Sequence, residues 1–214
     1  MINPLYFLIL TVVVFTSCSQ EKIGIAYFKN GKVSSITNYN EVDSFNYSVI
    51  FFNENGAIKC FGSRKNGEKD GEWIYVNTHE LVRENYKNGL LNDTIAYYYL
   101  NGIVERYKIL DKPIPCFCDS NVNVGFKQIA FFANGNLKEI NHIMNCKFNG
   151  KTQIFDSLTG DLLQEYFEID GIVNGAYKQY FENNTTRYGY YNNNEPVGRW
   201  TTYQDDSLIS EKIY

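Results

Sequence analysis

Cys18 is the residue whose surroundings predict the clearest chemistry. The run from Leu5 to Phe15 is almost wholly apolar, and the small residues Thr16 and Ser17 separate it from the cysteine. As a helix the run would reach about 16 Å, roughly half the hydrocarbon core, so it is too short to span a bilayer and is typical of a signal peptide. We therefore predict a signal peptide at residues 1–17 and a lipid-modified Cys18. The alternatives are an ordinary signal peptide cut nearby and an uncleaved hydrophobic N-terminus.

The lipid on Cys18 would be the membrane partner of this protein. Acyl chains contribute roughly 0.8 kcal/mol per buried methylene, so two or more chains would anchor the protein stably. Residues 18–23 would then form a lipidated tether. We expect a cell-envelope location, lipid-anchored, at the outer membrane.

The remaining cysteines are Cys60, Cys116, Cys118 and Cys146. Disulfides are allowed in an exported chain. Cys116 and Cys118 are too close for an easy bridge to each other, so we expect one of them to pair with Cys146. The set lacks the spacing of zinc ligands, and Cys60 is expected to be a buried thiol.

Other catalytic or metal-binding patterns are weak. His79 and His142 have no ligand-like spacing, and a catalytic histidine needs an oriented partner. The segment from Asp119 to Gly125 has its glycine one position late for a calcium loop. Glu139 and Asp205–Asp206 do not suggest the paired carboxylates of a hydrolase. We predict no catalytic residue, no metal, no cofactor and no enzymatic activity.

Composition favours strands and turns. Aromatic residues make up 16% of the chain, with 18 Tyr and 15 Phe, and there are 16 Gly against 4 Pro. Tyr, Phe, Ile and Val favour strands, whereas Gly and Asn favour turns. The net charge is −4, and the basic residues form no patch. Nucleic acid is therefore not an expected partner.

Internal repeats organise these residues. Pairs of apolar residues precede Asn-Gly or a related turn again and again, as in Tyr27–Gly31 and Phe51–Gly56. Asn-Gly between alternating apolar runs predicts a hairpin with a type I′ turn. A second set of turn residues closes each repeat, at intervals of 22, 32, 25, 25 and 23 residues: Gly71, Asp93, Gly125, Gly150, Gly175 and Gly198.

A repeat of this length holds two strands and two turns, and a single hairpin would be marginally stable. We therefore predict an all-β fold, an elongated antiparallel meander of repeated β-hairpins with a period of about 22–25 residues. The array would occupy residues 24–214, with an insertion near 111–124. An ordinary barrel or sandwich is the alternative.

The motifs resemble a known family. Gly71–Tyr75 and Gly198–Tyr203 both read Gly-x-Trp, and Tyr86–Gly89 supplies the Tyr-x-Asn-Gly half of the pattern. This resembles the MORN-variant repeats of the YwqK-like, antitoxin-like group. The resemblance implies a MORN-like repeat sheet over residues 24–214 and carries no catalytic residues.

An open sheet cannot cover both of its faces with its own chain, so some aromatic side chains should remain accessible. The alternative is that these rings only pair across strands and stabilise the sheet. The candidate binding surface consists of Trp73, Tyr75, Tyr86, Trp200 and Tyr203. We expect a non-enzymatic envelope lipoprotein acting as a protein-binding or scaffold repeat module. The alternative is an immunity or antitoxin-like protein that neutralises a partner toxin.

Overall fold

Asn-Gly and related dipeptides divide the chain into short antiparallel strands. The computed structural model describes residues 21–40, 44–115 and 124–214, and these residues form eighteen strands and no helix. Within each of the two units described below, almost every strand pairs with the next strand along the chain. The predicted all-β antiparallel meander of hairpins is therefore confirmed.

The chain divides into two units. Residues 21–103 and 113–115 belong to the first unit. Its strands are β1 (Glu21–Tyr27), β2 (Val33–Asn40), β3 (Tyr47–Phe52), β4 (Ile58–Lys65), β5 (Glu68–Val76), β6 (Glu80–Lys87), β7 (Leu90–Leu91) and β8 (Thr94–Tyr99).

The second unit contains residues 104–112 and 124–214. Its strands are β9 (Val104–Leu110), β10 (Gly125–Phe131), β11 (Leu137–Met144), β12 (Lys147–Phe148), β13 (Gly150–Phe155), β14 (Leu162–Ile169), β15 (Ile172–Phe181), β16 (Thr185–Asn192), β17 (Glu195–Gln204) and β18 (Ser207–Ile213).

The Asn-Gly dipeptides form two kinds of turn. At Asn66–Gly67 and Asn88–Gly89 both residues have positive φ, as the predicted type I′ turn requires. At Asn30–Gly31 only the glycine does, and the asparagine Oδ1 instead accepts a hydrogen bond from the backbone N–H of Lys32. There the type I′ prediction is wrong. The loop is one residue longer, and its glycine sits in the bulge that follows a type I turn.

The repeat-closing positions also mark bulges. Gly71, Asp93, Gly150, Gly175 and Gly198 all have positive φ, with values between 66° and 117°. Gly125 does not have positive φ, although its spacing in the sequence groups it with the other repeat-closing positions. A Cβ at Gly125 would meet the Asp111 carboxylate at 2.0 Å, so this glycine is explained by close packing.

The tryptophans define one face of the sheet in each unit. In the first unit, the tryptophan face is the side of the sheet from which Trp73 projects. In the second unit, it is the side from which Trp200 projects. Residues paired across antiparallel strands share a face. In the first unit this places Thr37, Val49, Gly62 and Trp73 in one cross-strand row. All except Gly62 are buried, so the core of this unit lies along the row.

The start of the array differs in detail from expectation, and part of the insertion packs into the first unit. β1 begins at Glu21 rather than at residue 24, because residues 21–26 continue the pairing with β2, and Asn38 Nδ2 donates to Glu21 Oε2. Within the insertion, Ile114 exchanges backbone hydrogen bonds of 2.7 and 2.9 Å with Leu91. Both side chains are fully buried, so this part of the insertion closes the first unit's core.

Candidate functional site

The five aromatic residues of the candidate binding surface do not form one exposed surface. Trp73 is 1% exposed and Trp200 is 4% exposed, and Tyr86 is also buried. Tyr75 and Tyr203 are half-buried. The structure therefore places the two tryptophans in the interior, where little of their surface is open to a partner.

Trp200 and Tyr203 also point to opposite faces. Successive side chains alternate along a strand, and these residues are three apart in β17. Trp200 contacts Tyr191, with ring centroids 5.2 Å apart, whereas Tyr203 contacts Tyr188 at 5.9 Å. Proximity in sequence therefore does not make these two residues one surface.

Trp73 lies beneath a charged and hydroxylated cluster. Its Nε1–H donates to the carbonyl of Ser63 at 2.9 Å. Lys69 Nζ lies 4.9 Å from the Trp73 ring centroid and 4.4 Å from that of Tyr86. The same ammonium donates to the hydroxyl groups of Tyr75 and Tyr86. These cation–π and hydrogen-bond contacts hold Lys69 over the tryptophan face.

A carboxylate completes this cluster. The Tyr86 hydroxyl donates to Glu84 Oε2 at 2.7 Å. Burial, followed by the hydrogen bond to Glu84, raises the pKa of Tyr86 far above its usual value. Burial also raises the pKa of Tyr75. Both phenols are protonated at neutral pH, and the Tyr86 hydroxyl bridges Lys69 and Glu84.

An open groove of about 640 Å³ borders this cluster in the first unit. Arg64 and Lys69 line it and are directly opposite each other in the β4–β5 pairing. Like charges at such a position are unfavourable. Contacts with Trp73 offset this, because the Arg64 guanidinium lies 5.7 Å from the ring centroid. Cys60, a buried free thiol with a pKa raised by burial, also borders the groove.

A second groove, of about 330 Å³, lies in the second unit on the face opposite Trp200. Phe167, Tyr188 and Tyr190 border it and are exposed, with Tyr190 60% exposed. Sequence reasoning missed these residues because it followed the Gly-x-Trp motif. The alternation of Tyr188, Gly189 and Tyr190 opposite a buried Trp200 is the signal that could have found them.

Cations surround these exposed rings. Lys151, Lys178 and Arg199 line the groove, with Glu165 as its acidic lining residue. Lys178 Nζ lies 4.6 Å from the Tyr180 ring centroid and 5.1 Å from that of Tyr188. Lys151 is ion-paired with Glu165 and Arg199 with Glu211, whereas Lys178 lies over the rings. The combination of apolar rings and this cation suits a partner that offers apolar and acidic groups.

Of the cysteines predicted to be modified, only Cys146 lies within the described residues. Cys18, Cys116 and Cys118 lie outside the described residues. Cys146 is an exposed free cysteine in the turn before β12. The lipidation of Cys18 and the disulfide therefore remain predictions.

His142 has a polar partner at each ring nitrogen, which the sequence does not suggest. Its Nε2 lies 3.4 Å from Asp111 Oδ2, and its Nδ1 lies 3.1 Å from the backbone oxygen of Asn149. These contacts occupy both ring nitrogens, so neither is turned towards a nucleophile. His79 is exposed.

Two kinds of feature are absent from the described residues. Within residues 21–40, 44–115 and 124–214, no three or more His, Cys, Asp and Glu side chains are grouped to hold a metal ion. The same ranges contain no helix long and apolar enough to cross a membrane.

Comparisons with known proteins add no identity. No family model matches this chain, and no curated protein matches it closely enough to be counted as a relative. The MORN-variant resemblance therefore remains a hypothesis carried by the Gly-x-Trp and Tyr-x-Asn-Gly motifs.

Proposed function

We propose that this protein is a non-enzymatic lipoprotein of the cell envelope that binds another protein through its β-repeat sheet. The Leu5–Cys18 segment supports the anchor, since its length and its cysteine are typical of a lipoprotein signal. The antiparallel meander supports a binding role, because its strands offer a broad surface.

The groove in the second unit is the observation that carries this proposal. Phe167, Tyr188 and Tyr190 leave large apolar surfaces open to solvent, and adjacent exposed rings of this kind commonly mark interaction sites. The cationic lining favours a partner segment that combines carboxylates with apolar side chains. Tyr and Arg, which are enriched at binding hot spots, are both present.

Site-specific photocrosslinking in the native envelope tests this function. A benzophenone amino acid at Tyr190 should yield one discrete protein adduct. The same group at Leu158, an 84% exposed position in the turn after β13, is the matched control. Lys178→Glu should reduce the adduct at position 190, because it reverses one groove charge and removes the ammonium that lies over the Tyr188 ring.

Equal, unselective labelling from both positions would contradict the proposed surface. The identity of a captured partner separates the two functional hypotheses. A toxin encoded beside this gene would favour the immunity or antitoxin-like role, whereas an envelope protein would favour a scaffold module.

A further inference from the structure

A buried polar cluster lies on the tryptophan face of the second unit. Glu139 and Asn141 project from β11, Thr152 from β13 and Glu168 from β14. Asn141 Nδ2 donates to Glu139 Oε1, and Thr152 Oγ1 donates to Glu168 Oε2 at 2.7 Å. The pairing of Ile140 with Gln153 brings Asn141 beside Thr152. Four oxygen-bearing side chains from three strands thus lie on this face as two neighbouring hydrogen-bonded pairs.

Asn141 has an unsatisfied oxygen at the centre of this cluster. Its side chain is 1% exposed, and its buried Oδ1 has no hydrogen-bond partner. Exchanging the amide oxygen and nitrogen would not help, because the carboxylate of Glu139 can only accept a hydrogen bond from the –NH₂ group. The amide nitrogen therefore stays on Glu139 Oε1, and Oδ1 is left without a donor. Leaving a buried acceptor unpaired is unfavourable.

The cluster also carries uncompensated negative charge. Glu168 is 8% exposed, and across the described residues no ion pair joins Glu168 or Glu139 to a Lys, Arg or His. Lys151, the residue before Thr152, pairs with Glu165 at 2.7 Å. A buried charge is costly unless it is paired or coordinates a metal.

Tyr166 lies beside this cluster, since it pairs with Thr152 across β13 and β14.

We propose that Glu139, Asn141, Thr152 and Glu168 form a binding site for a divalent cation, namely Ca²⁺. Carboxylate, amide and hydroxyl oxygens are the ligands that Ca²⁺ takes, with water completing its shell of six to eight. Two carboxylates match the charge of a divalent ion, and the orphaned Asn141 oxygen supplies a neutral ligand. The cluster has only two acidic groups, so the other protein ligands are neutral.

Calcium titration of the EDTA-treated protein tests this site. Isothermal titration calorimetry should detect one Ca²⁺ per chain, with a Kd of about 10⁻⁴–10⁻³ M, as for sites of low ligand charge. Ca²⁺ at a hundredfold excess over Kd should raise the melting temperature by about 5 °C. Mg²⁺ should bind more weakly because it demands a stricter octahedral geometry.

Glu168→Gln provides the decisive variant, because it keeps the acceptor for Thr152 and removes the buried charge. In EDTA it should be at least as stable as wild type, whereas in Ca²⁺ wild type should be the more stable of the two. Glu165→Gln is the matched control, since Glu165 pairs with Lys151 on the opposite face, and it should bind Ca²⁺ like wild type. Asn141→Ala should weaken binding about tenfold or more.

A wild-type protein that shows neither Ca²⁺ heat nor a melting shift would overturn the proposal. So would equal binding by wild type and Glu168→Gln, since the ion would then bind elsewhere. Should Glu168→Gln fail to fold, Asn141→Ala takes its place. Weaker Ca²⁺ binding than wild type would then support the site, and equal binding would overturn it.

Discussion

Trp200 lies so close to Gly189 that a Cβ atom on the glycine would come within 2.1 Å of the indole ring. The same relationship joins Trp73 to Gly62, where the corresponding distance is 2.5 Å. In both pairs the glycine precedes the tryptophan by eleven residues, on the neighbouring strand. The absent side chain creates the space in which the large ring is buried.

Gly189→Ala should therefore destabilise the protein. The added methyl group must displace either the buried indole or a strand, and overpacking of this kind costs about 1–3 kcal/mol. Urea unfolding followed by circular dichroism would measure the loss. Gly24→Ala is a matched control because its Cβ would meet only the Tyr39 ring, at 3.0 Å, and a smaller loss is expected. Equal losses would contradict the packing account.

The two tryptophans should respond differently to replacement by phenylalanine. Trp73 Nε1 donates to Ser63, whereas the buried Trp200 Nε1 has no partner. Both changes remove similar ring volume, but only Trp73→Phe removes a hydrogen bond. It should therefore lower the free energy of unfolding by about 1 kcal/mol more than Trp200→Phe does. A larger loss for Trp200→Phe would show that its Nε1 has a partner in solution.

Lys69→Met should destabilise the first unit by about 1–2 kcal/mol. Methionine keeps the apolar stem but removes the ammonium that lies over Trp73 and Tyr86 and donates to Tyr75. Lys65→Met, on the adjacent strand with an exposed side chain, is the control. Thermal unfolding of both variants would measure the difference, and equal melting temperatures would count against a structural role for Lys69.

Stability should fall at alkaline pH through Tyr166. Its pKa rises from the usual value of 10.0 to about 12 in the folded protein. Between these values the unfolded chain binds fewer protons than the folded chain, so the free energy of unfolding decreases as pH rises. Tyr166→Phe should flatten this decrease. Urea midpoints from pH 9 to 12, measured in EDTA, would test it, and an unchanged slope would contradict it.

Cys18→Ala should abolish incorporation of a clickable fatty acid. The prediction rests on the lipoprotein-like segment that ends at Cys18. In-gel fluorescence of wild type and variant, with Cys146→Ala as a control for nonspecific thiol acylation, would measure it. Unlabelled wild-type protein would remove the envelope location and favour an antitoxin-like role inside the cell.

Local sequence was sufficient for much of the fold. Asn66–Gly67 forms its predicted turn because positive φ at two consecutive residues is a local requirement that Asn and Gly satisfy. The same dipeptide at Asn30–Gly31 forms another turn, since the asparagine side chain binds the backbone and the loop is longer by one residue. Dipeptide identity therefore predicted a hairpin at both places but the turn type at only one.

The sequence by itself determined the strands, the turns and the all-β meander, because alternation and turn chemistry act over a few neighbouring residues. Only the tertiary structure decided which aromatic rings are buried, since Trp200 depends on Gly189 in another strand. The placement of Asn141 beside Thr152 and its partner Glu168 is likewise tertiary, because three strands must pair in one register before these side chains share a face. Side-chain burial depends on partners distant in sequence, and that is the information a local pattern lacks.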